Sequence, residues 1–262
     1  MSMNYWMKQE AETSLFPDLA WSKPENKMHA GKLLIIGGNL HGFSAPANAF
    51  NAAEKAGIGM TRVLLPNAIQ KSVKTFMPEA DFAPSTPSGS LATTALDSLL
   101  ENAAWSDAVM IAGDLGRNSE TAVLLELFIS KYSGLLSITK DTLDYLVETP
   151  NLIIDRENTT ITASFAQLQK LFITSKSQQA LTYDMGLVRL VDALHEFTQA
   201  YQIHIITKYH DAYVVAVNGQ VSTTKEPSPR EIWRVDTAAA ATVWWLQHAA
   251  KPFEALTTSL VN

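Results

Sequence analysis

Short apolar runs alternate with stretches of helical periodicity along this chain, and that alternation restricts the fold more than any other feature of the sequence. A short apolar run bounded by turn formers reads as a strand covered on both faces, and a helix between two such strands brings the second back parallel to the first. Residues 32–36, Lys-Leu-Leu-Ile-Ile, read as the first strand, followed by Gly37-Gly38-Asn39 and an alanine-rich helix over 46–56. Residues 61–65 give the second strand, stopped by Pro66. Strands over 108–112 and 135–138 follow, with a helix over 118–132 after a turn at Gly116. Residues 152–154, between Pro150 and Asp155, read as a further strand, and 203–207 and 213–217 as two more after a helix over 177–201. Asn218-Gly219 makes a tight hairpin turn. The prolines and small polar residues of 77–90 read as an internal loop. With two closing helices, 236–250 and 253–260, the pattern predicts an α/β fold: a doubly wound, mostly parallel sheet flanked by helices in three αβα layers.

At 262 residues one large core is expected, a single domain over 1–262 with residues 1–23 as an N-terminal extension packed on it. Hydrophobic residues at 47% against 18% charged argue against long disorder. A net charge of -6 with no basic cluster argues against nucleic acid as a partner. The absence of cysteine removes disulfides, thiolate nucleophiles and thiolate-bound metals from consideration. Residues 1–8 lack the basic start and apolar core of a signal peptide, and no run reaches membrane-spanning length, so a cytoplasmic protein without membrane contact is expected. The six histidines show no ligand spacing, so no metal site is expected, and Ser44 and Ser164 lack a recognisable His and acid partner.

Asp236 holds the clearest chemical candidate, an acid where a long apolar helix begins. Free N–H groups at a helix start attract phosphate, and an adjacent carboxylate can take a proton. An Asp there can equally serve as a helix cap. The residues before it, Trp233-Arg234-Val235, carry side chains where phosphate-binding loops use glycine. Gly37-Gly38-Asn39 is either a tight turn or the lining of a crevice at the strand ends. Asp114-Leu115-Gly116-Arg117 is either a solvated helix start, with Asp114 near the positive end, or a ligand contact. Lys208 at a strand end is either a solvated charge or a phosphate contact. Trp244 and Trp245 read as core or subunit-interface residues.

Four fragments in order resemble one family. His29-Ala30-Gly31 through Gly37-Gly38-Asn39, then Ala53-Glu54-Lys55-Ala56-Gly57-Ile58-Gly59-Met60, are similar to the opening of the ADP/ATP-dependent NAD(P)H-hydrate dehydratases. Ala112-Gly113-Asp114-Leu115-Gly116-Arg117 resembles that family's Gly-Pro-Gly-Leu-Gly-Arg, and Pro252-Phe253-Glu254-Ala255 its ending. The resemblance spans residues 24–260 and implies a ribokinase-like fold. Departures are equally specific. Asp-Ala-Asp-Ala-Leu-Asn becomes Thr139-Lys140-Asp141-Thr142-Leu143-Asp144, and Thr-Pro-His-Pro-Gly-Glu becomes Thr162-Ala163-Ser164-Phe165-Ala166-Gln167. Lys-Gly becomes Lys208-Tyr209, and the Gly-Ser-Gly before the catalytic Asp becomes Trp233-Arg234-Val235.

The resemblance implies Asp236 as the catalytic base. It places the substrate crevice at Gly37, Gly38, Asn39, Ala47, Gly116 and Arg117, and the nucleotide at Lys208, Arg234 and Val235. ATP or ADP would bring Mg²⁺ with it, and the hydrate of NAD(P)H would be substrate rather than cofactor. Three functions follow: a divergent dehydratase with reduced or lost activity, a non-catalytic binding or homo-oligomeric scaffold of the same fold, and an ATP-dependent small-molecule kinase.

Overall fold

The first long strand is buried from Leu33 to Gly37, as a strand sandwiched between helix layers must be. The computed structural model describes residues 3–78, 80–225 and 233–261. In chain order the elements are β1 (Trp6–Gln9), α1 (Pro17–Trp21), β2 (Lys32–Gly37), α2 (Ser44–Ala56), β3 (Met60–Pro66), α3 (Gln70–Val73), β4 (Ala80–Ala83), α4 (Leu96–Trp105), β5 (Ala108–Gly113) and α5 (Ser119–Lys131). There follow β6 (Leu135–Thr139), α6 (Asp141–Leu146), α7 (Asn151–Ile154), β7 (Thr159–Ala163), α8 (Phe165–Thr174), α9 (Leu187–Ala200), β8 (His204–Tyr209), β9 (Ala212–Val217), β10 (Gln220–Lys225), α10 (Trp233–Gln247) and α11 (Pro252–Thr258).

The strands form one sheet in the order β1-β10-β9-β8-β7-β6-β5-β2-β3-β4. Among them β9 alone runs antiparallel to its neighbours. Asn218 and Gly219 both adopt positive φ, 48° and 78°, which gives the β9–β10 turn the twist that a two-residue hairpin needs. From β2 the chain winds outward through β3 and β4, then returns through α4 to β5 on the other side of β2. The strand order therefore reverses between β2 and β5, where an open α/β sheet leaves a crevice beyond its carboxyl ends.

Side chains alternate across the sheet. Leu34, Ile36, Val109, Ile111, Leu136 and Ile138 pack with α4, α5 and α9 on one face. Leu33, Ile35, Val63, Met110 and Ala112 pack on the other face with Ala45, Ala49 and Ala53 of α2 and Val235, Ala238 and Ala239 of α10. The alanines let α2 and α10 lie side by side at the centre of that layer. Farther along α10, Trp244 and Trp245 join Val215, Phe253 and Leu256, so both tryptophans belong to this chain's own core. Among the described residues no helix is long and apolar enough to cross a membrane.

Several elements differ from the sequence reading. Residues 152–154 are helical, in α7. Three apolar residues carry no period that separates a strand from a buried turn of helix. The strand of this region is β7, whose Thr159-Thr160-Ile161-Thr162-Ala163 owes its place to β-branched side chains. The stretch expected as one helix over 177–201 is helical only from Leu187. Within 77–90, Ala80–Ala83 is an edge strand, and Pro66 lies inside β3 opposite Ala83, where an edge-proximal strand end tolerates its missing N–H. Asp236 is the fourth residue of the described helix and so not its cap.

Candidate active site

The crevice between β2 and β5 is built by backbones in contact. A Cβ on Gly37 would lie 2.5 Å from the Gly113 carbonyl oxygen and 2.8 Å from Pro46 Cγ, so only glycine lets the two strand ends meet. The Gly38 N–H then donates to the Gly113 carbonyl at 3.0 Å. Gly116, at φ +78°, turns under Ser90 and Asn39, and a Cβ there would lie 2.9 Å from Ser90 Oγ. Asn39 fixes its own turn by accepting from the His41 N–H at 2.7 Å, and its Nδ2 donates to the Asp114 carbonyl at 2.5 Å. Gly37, Gly38, Asn39 and Gly116 thus converge, while Ala47 packs against the core from α2 and Arg117 is exposed at the rim.

Asp114 is the electrostatic centre of this crevice. It stands where the resembled motif has glycine, and its φ of +58° is one that glycine adopts freely. Its Oδ2 accepts from Ser44 Oγ at 2.9 Å and from the Ala45 N–H at 2.7 Å, both in the first turn of α2. Its other oxygen pairs with Lys140 Nζ. Burial works to raise its pKa, but Lys140, the Ala45 N–H and Ser44 together hold it below the ordinary carboxylate value. Residues 114–117 are a turn before the helix rather than its solvated start: α5 begins at Ser119 with Asn118 as its cap, and the helix start that Asp114 caps is that of α2, across the crevice.

Behind this pair, Asp141 accepts from the backbone N–H groups of Asp114 at 2.8 Å and Leu115 at 2.9 Å. Burial raises its pKa, opposed by those two N–H groups. Tyr145 donates to the Gly116 carbonyl and accepts from the Asn118 N–H, which pins the other side of the turn.

Sequence reasoning missed what Ser164 and Gln167 do. They form the reciprocal capping box of α8: Ser164 Oγ accepts from the Gln167 N–H at 3.3 Å and Gln167 Oε1 from the Ser164 N–H at 3.1 Å. Gln167 Nε2 donates to the Lys140 carbonyl at 2.8 Å and to Asp144 at 3.1 Å, and its Oε1 accepts from Arg234 at 3.1 Å. A Ser-x-x-Gln spacing before an apolar helix carried that signal.

The first turn of α10 brings the remaining candidates together. Trp233 packs against Tyr213 with ring centres 5.8 Å apart, and Lys208 Nζ lies 5.8 Å from the centre of the same Tyr213 ring. Lys208 and Trp233 of α10 thus share one aromatic neighbour, Tyr213. Val235 is fully buried, its side chain in the core, and Arg234 donates to Gln167 in the first turn of α8. Asp236 faces the other way, into a cleft of about 500 Å³ lined by Asn48, Asn51, Lys55 and Ala240 between α2 and α10. The same helix turn presents a carboxylate on one side and a guanidinium on the other.

A family model described as NAD(P)H-hydrate dehydratase matches residues 33–231. The bifunctional NAD(P)H-hydrate repair enzyme Nnr of Methanothermobacter thermautotrophicus is 31% identical over 97 residues, 37% of this chain and 18% of that protein. This chain therefore corresponds to a minor part of that relative's length. A ribokinase-like superfamily protein from Enterococcus faecalis superposes with a TM-score of 0.73 at 14% identity, covering 100% of this chain and 87% of its own. The ADP/ATP-dependent NAD(P)H-hydrate dehydratase of Bacillus subtilis, crystallised with ATP and Mg²⁺, superposes at 0.58 with 13% identity over 90% of this chain and 79% of its own. At these identities the superpositions establish a ribokinase-like fold.

Proposed function

The chain belongs to the NAD(P)H-hydrate dehydratase family, and on that premise we propose that it is a divergent member, binding a nucleotide beside Lys208 and the start of α10 and retaining at most a reduced ATP- or ADP-dependent dehydration. The observation that carries this reading is the placement of Asp236 in the first turn of α10, its carboxylate in a 500 Å³ cleft, with Lys208 against the Tyr213 ring that Trp233 of the same helix also meets. In this reading Asp236 accepts the proton of the substrate hydroxyl as that oxygen takes up a phosphoryl group, and loss of the phosphate by elimination restores the nicotinamide. Lys208 supplies cationic charge that polyphosphate needs, and Arg234 would add to it only by leaving Gln167. Mg²⁺ would arrive with the nucleotide, bound through its phosphates.

The reduction follows from how the start of α10 is used. Trp233 and Val235 are committed to packing and Arg234 to Gln167, where a glycine loop would bring bare N–H groups to the moving phosphoryl. One lost donor of that kind costs about 2.7–4 kcal/mol of barrier, roughly 10²–10³ in rate. A second reading, nucleotide binding without turnover, is favoured by the Ser164–Gln167 capping box, which puts a helix cap where the resembled motif has His and Glu.

Thermal denaturation with millimolar ATP·Mg²⁺ or ADP·Mg²⁺ tests the binding, and recovery of nicotinamide absorbance from hydrated NADH plus ATP tests the chemistry. A rise of several degrees is expected, with slow turnover that Asp236→Asn reduces by roughly 10²–10⁴-fold without lowering the melting temperature. No nucleotide shift would defeat the whole reading. A shift without turnover would leave the second one.

A further inference from the structure

The crevice at the β2–β5 reversal is the place where this fold presents a helix start to an anionic ligand, and here the chain presents its own anion to it. Three observations converge. The first turn of α2 has no acidic residue and no side-chain cap from its own segment. Its Ala45 N–H and Ser44 hydroxyl both donate to Asp114 from the far side of the crevice. The carboxylate is neutralised by Lys140, with the two side chains only 16% and 27% exposed.

Both partners are held in a backbone conformation that L-residues avoid, Asp114 at φ +58° and Lys140 at φ +54°. Such strain persists where surrounding contacts over-determine it. Here the contacts are visible: Asp141 takes the Asp114 N–H, Asn39 donates to its carbonyl, and Gln167 donates to the Lys140 carbonyl. A cap for α2 alone needs no lysine and no second strained residue.

We infer that Asp114 and Lys140 are a built-in counter-ion pair that closes the α2 start to phosphate. A ligand in this crevice then offers an uncharged, hydrogen-bonding part to the β2–β5 reversal and carries its phosphates toward Lys208 instead. The inference rests on reading this crevice as the ligand site, and it sets the specificity of that site: anionic groups are refused at α2, and amide or hydroxyl groups are accepted by the paired carboxylate.

The test uses the full chain and inorganic pyrophosphate as probe, with affinity measured by titration calorimetry and location by the ¹⁵N-amide shifts of Ser44 and Ala45. Wild-type protein is expected to show no saturable shift at Ala45. Asp114→Gly relaxes the backbone, opens the α2 start and leaves Lys140 beside it, so pyrophosphate should bind at least about tenfold tighter, with Ala45 moving, the scale of one charge-assisted hydrogen bond. Asp114→Asn keeps a capping oxygen and a residue type tolerant of positive φ while removing the charge. It should gain in the same direction by less, and it carries the test if the glycine variant does not fold. Wild-type binding with a shift at Ala45, or variants that lose stability without gaining the anion, would overturn the inference. Neither readout depends on ATP binding at α10 or on turnover, so the failure of one proposal is distinguishable from that of the other.

Discussion

Acid should destabilise this protein through one histidine. His204 lies in β8, 5% exposed, with its ring set edge-on to Trp245 at 5.0 Å and its Nδ1 3.4 Å from Thr160 Oγ1. Burial among these neighbours pushes its pKa from 6.5 down to about 4. The folded state thus holds His204 neutral over a range where the unfolded chain binds a proton. Between pH 6.5 and 4 the unfolded state carries more protons, so stability rises with pH across that window. The contribution is fully present above about 6.5 and is lost as the pH falls toward about 4. At about 1.36 kcal/mol for each tenfold in proton affinity, that gap amounts to about 3 kcal/mol. In a chain of this size such a loss lowers the melting temperature by about 6–12 °C. The assay is urea denaturation of wild type and His204→Phe at intervals from pH 4 to 7.5. Phenylalanine keeps an aromatic ring against Trp245 and does not titrate, while every other ionisable group is common to both chains and cancels. The stability of wild type relative to the variant should therefore fall by about 3 kcal/mol from pH 7 to 4. Parallel pH profiles would refute the reasoning, since they would mean that the folded protein protonates His204 as readily as the unfolded one.

Two substitutions away from the site test the packing that positions it. A Cβ on Gly59 would lie 2.1 Å from the Lys27 carbonyl oxygen and 2.7 Å from that of Gly31, so Gly59→Ala should cost about 1–3 kcal/mol in chemical denaturation, and an unchanged midpoint would contradict the close approach. Arg156 threads its guanidinium between the carbonyls of Tyr132, Gly134, Glu157 and Asn158, tying the turn before β6 to the turn before β7. Arg156→Lys keeps the charge and loses the fork, and a loss of about 1–3 kcal/mol is expected, with exchange of nearby amides accelerated; equal protection in both proteins would count against it.

The layered architecture was legible because buried parallel strands leave continuous apolar runs: β2, β5, β8 and β9 announce themselves. β7 did not, because three of its five residues are threonine and its burial comes from neighbours on either side. The helix expected from 177 failed over its first ten residues because apolar spacing begins only at Leu187. At the site, the glycines and Asn39 were readable as a turn at a strand end. The role of Asp114 was not, since its acceptor bonds run to residues 69 and 70 positions away, and no local pattern encodes a cap supplied from another loop. The Ser164-x-x-Gln167 spacing before an apolar helix does spell a cap, a local signal independent of any catalytic role for either residue.

The pairing of β1 with β10 joins Trp6–Gln9 to residues more than two hundred positions later, and Gln9 Nε2 reaches both Thr224 and the Thr257 carbonyl. During synthesis β1 therefore cannot take its place in the sheet until residues 220–225 have been made. Until that pairing forms, the outer side of β10 lacks its neighbour, so closing this margin of the sheet waits on two segments far apart along the chain.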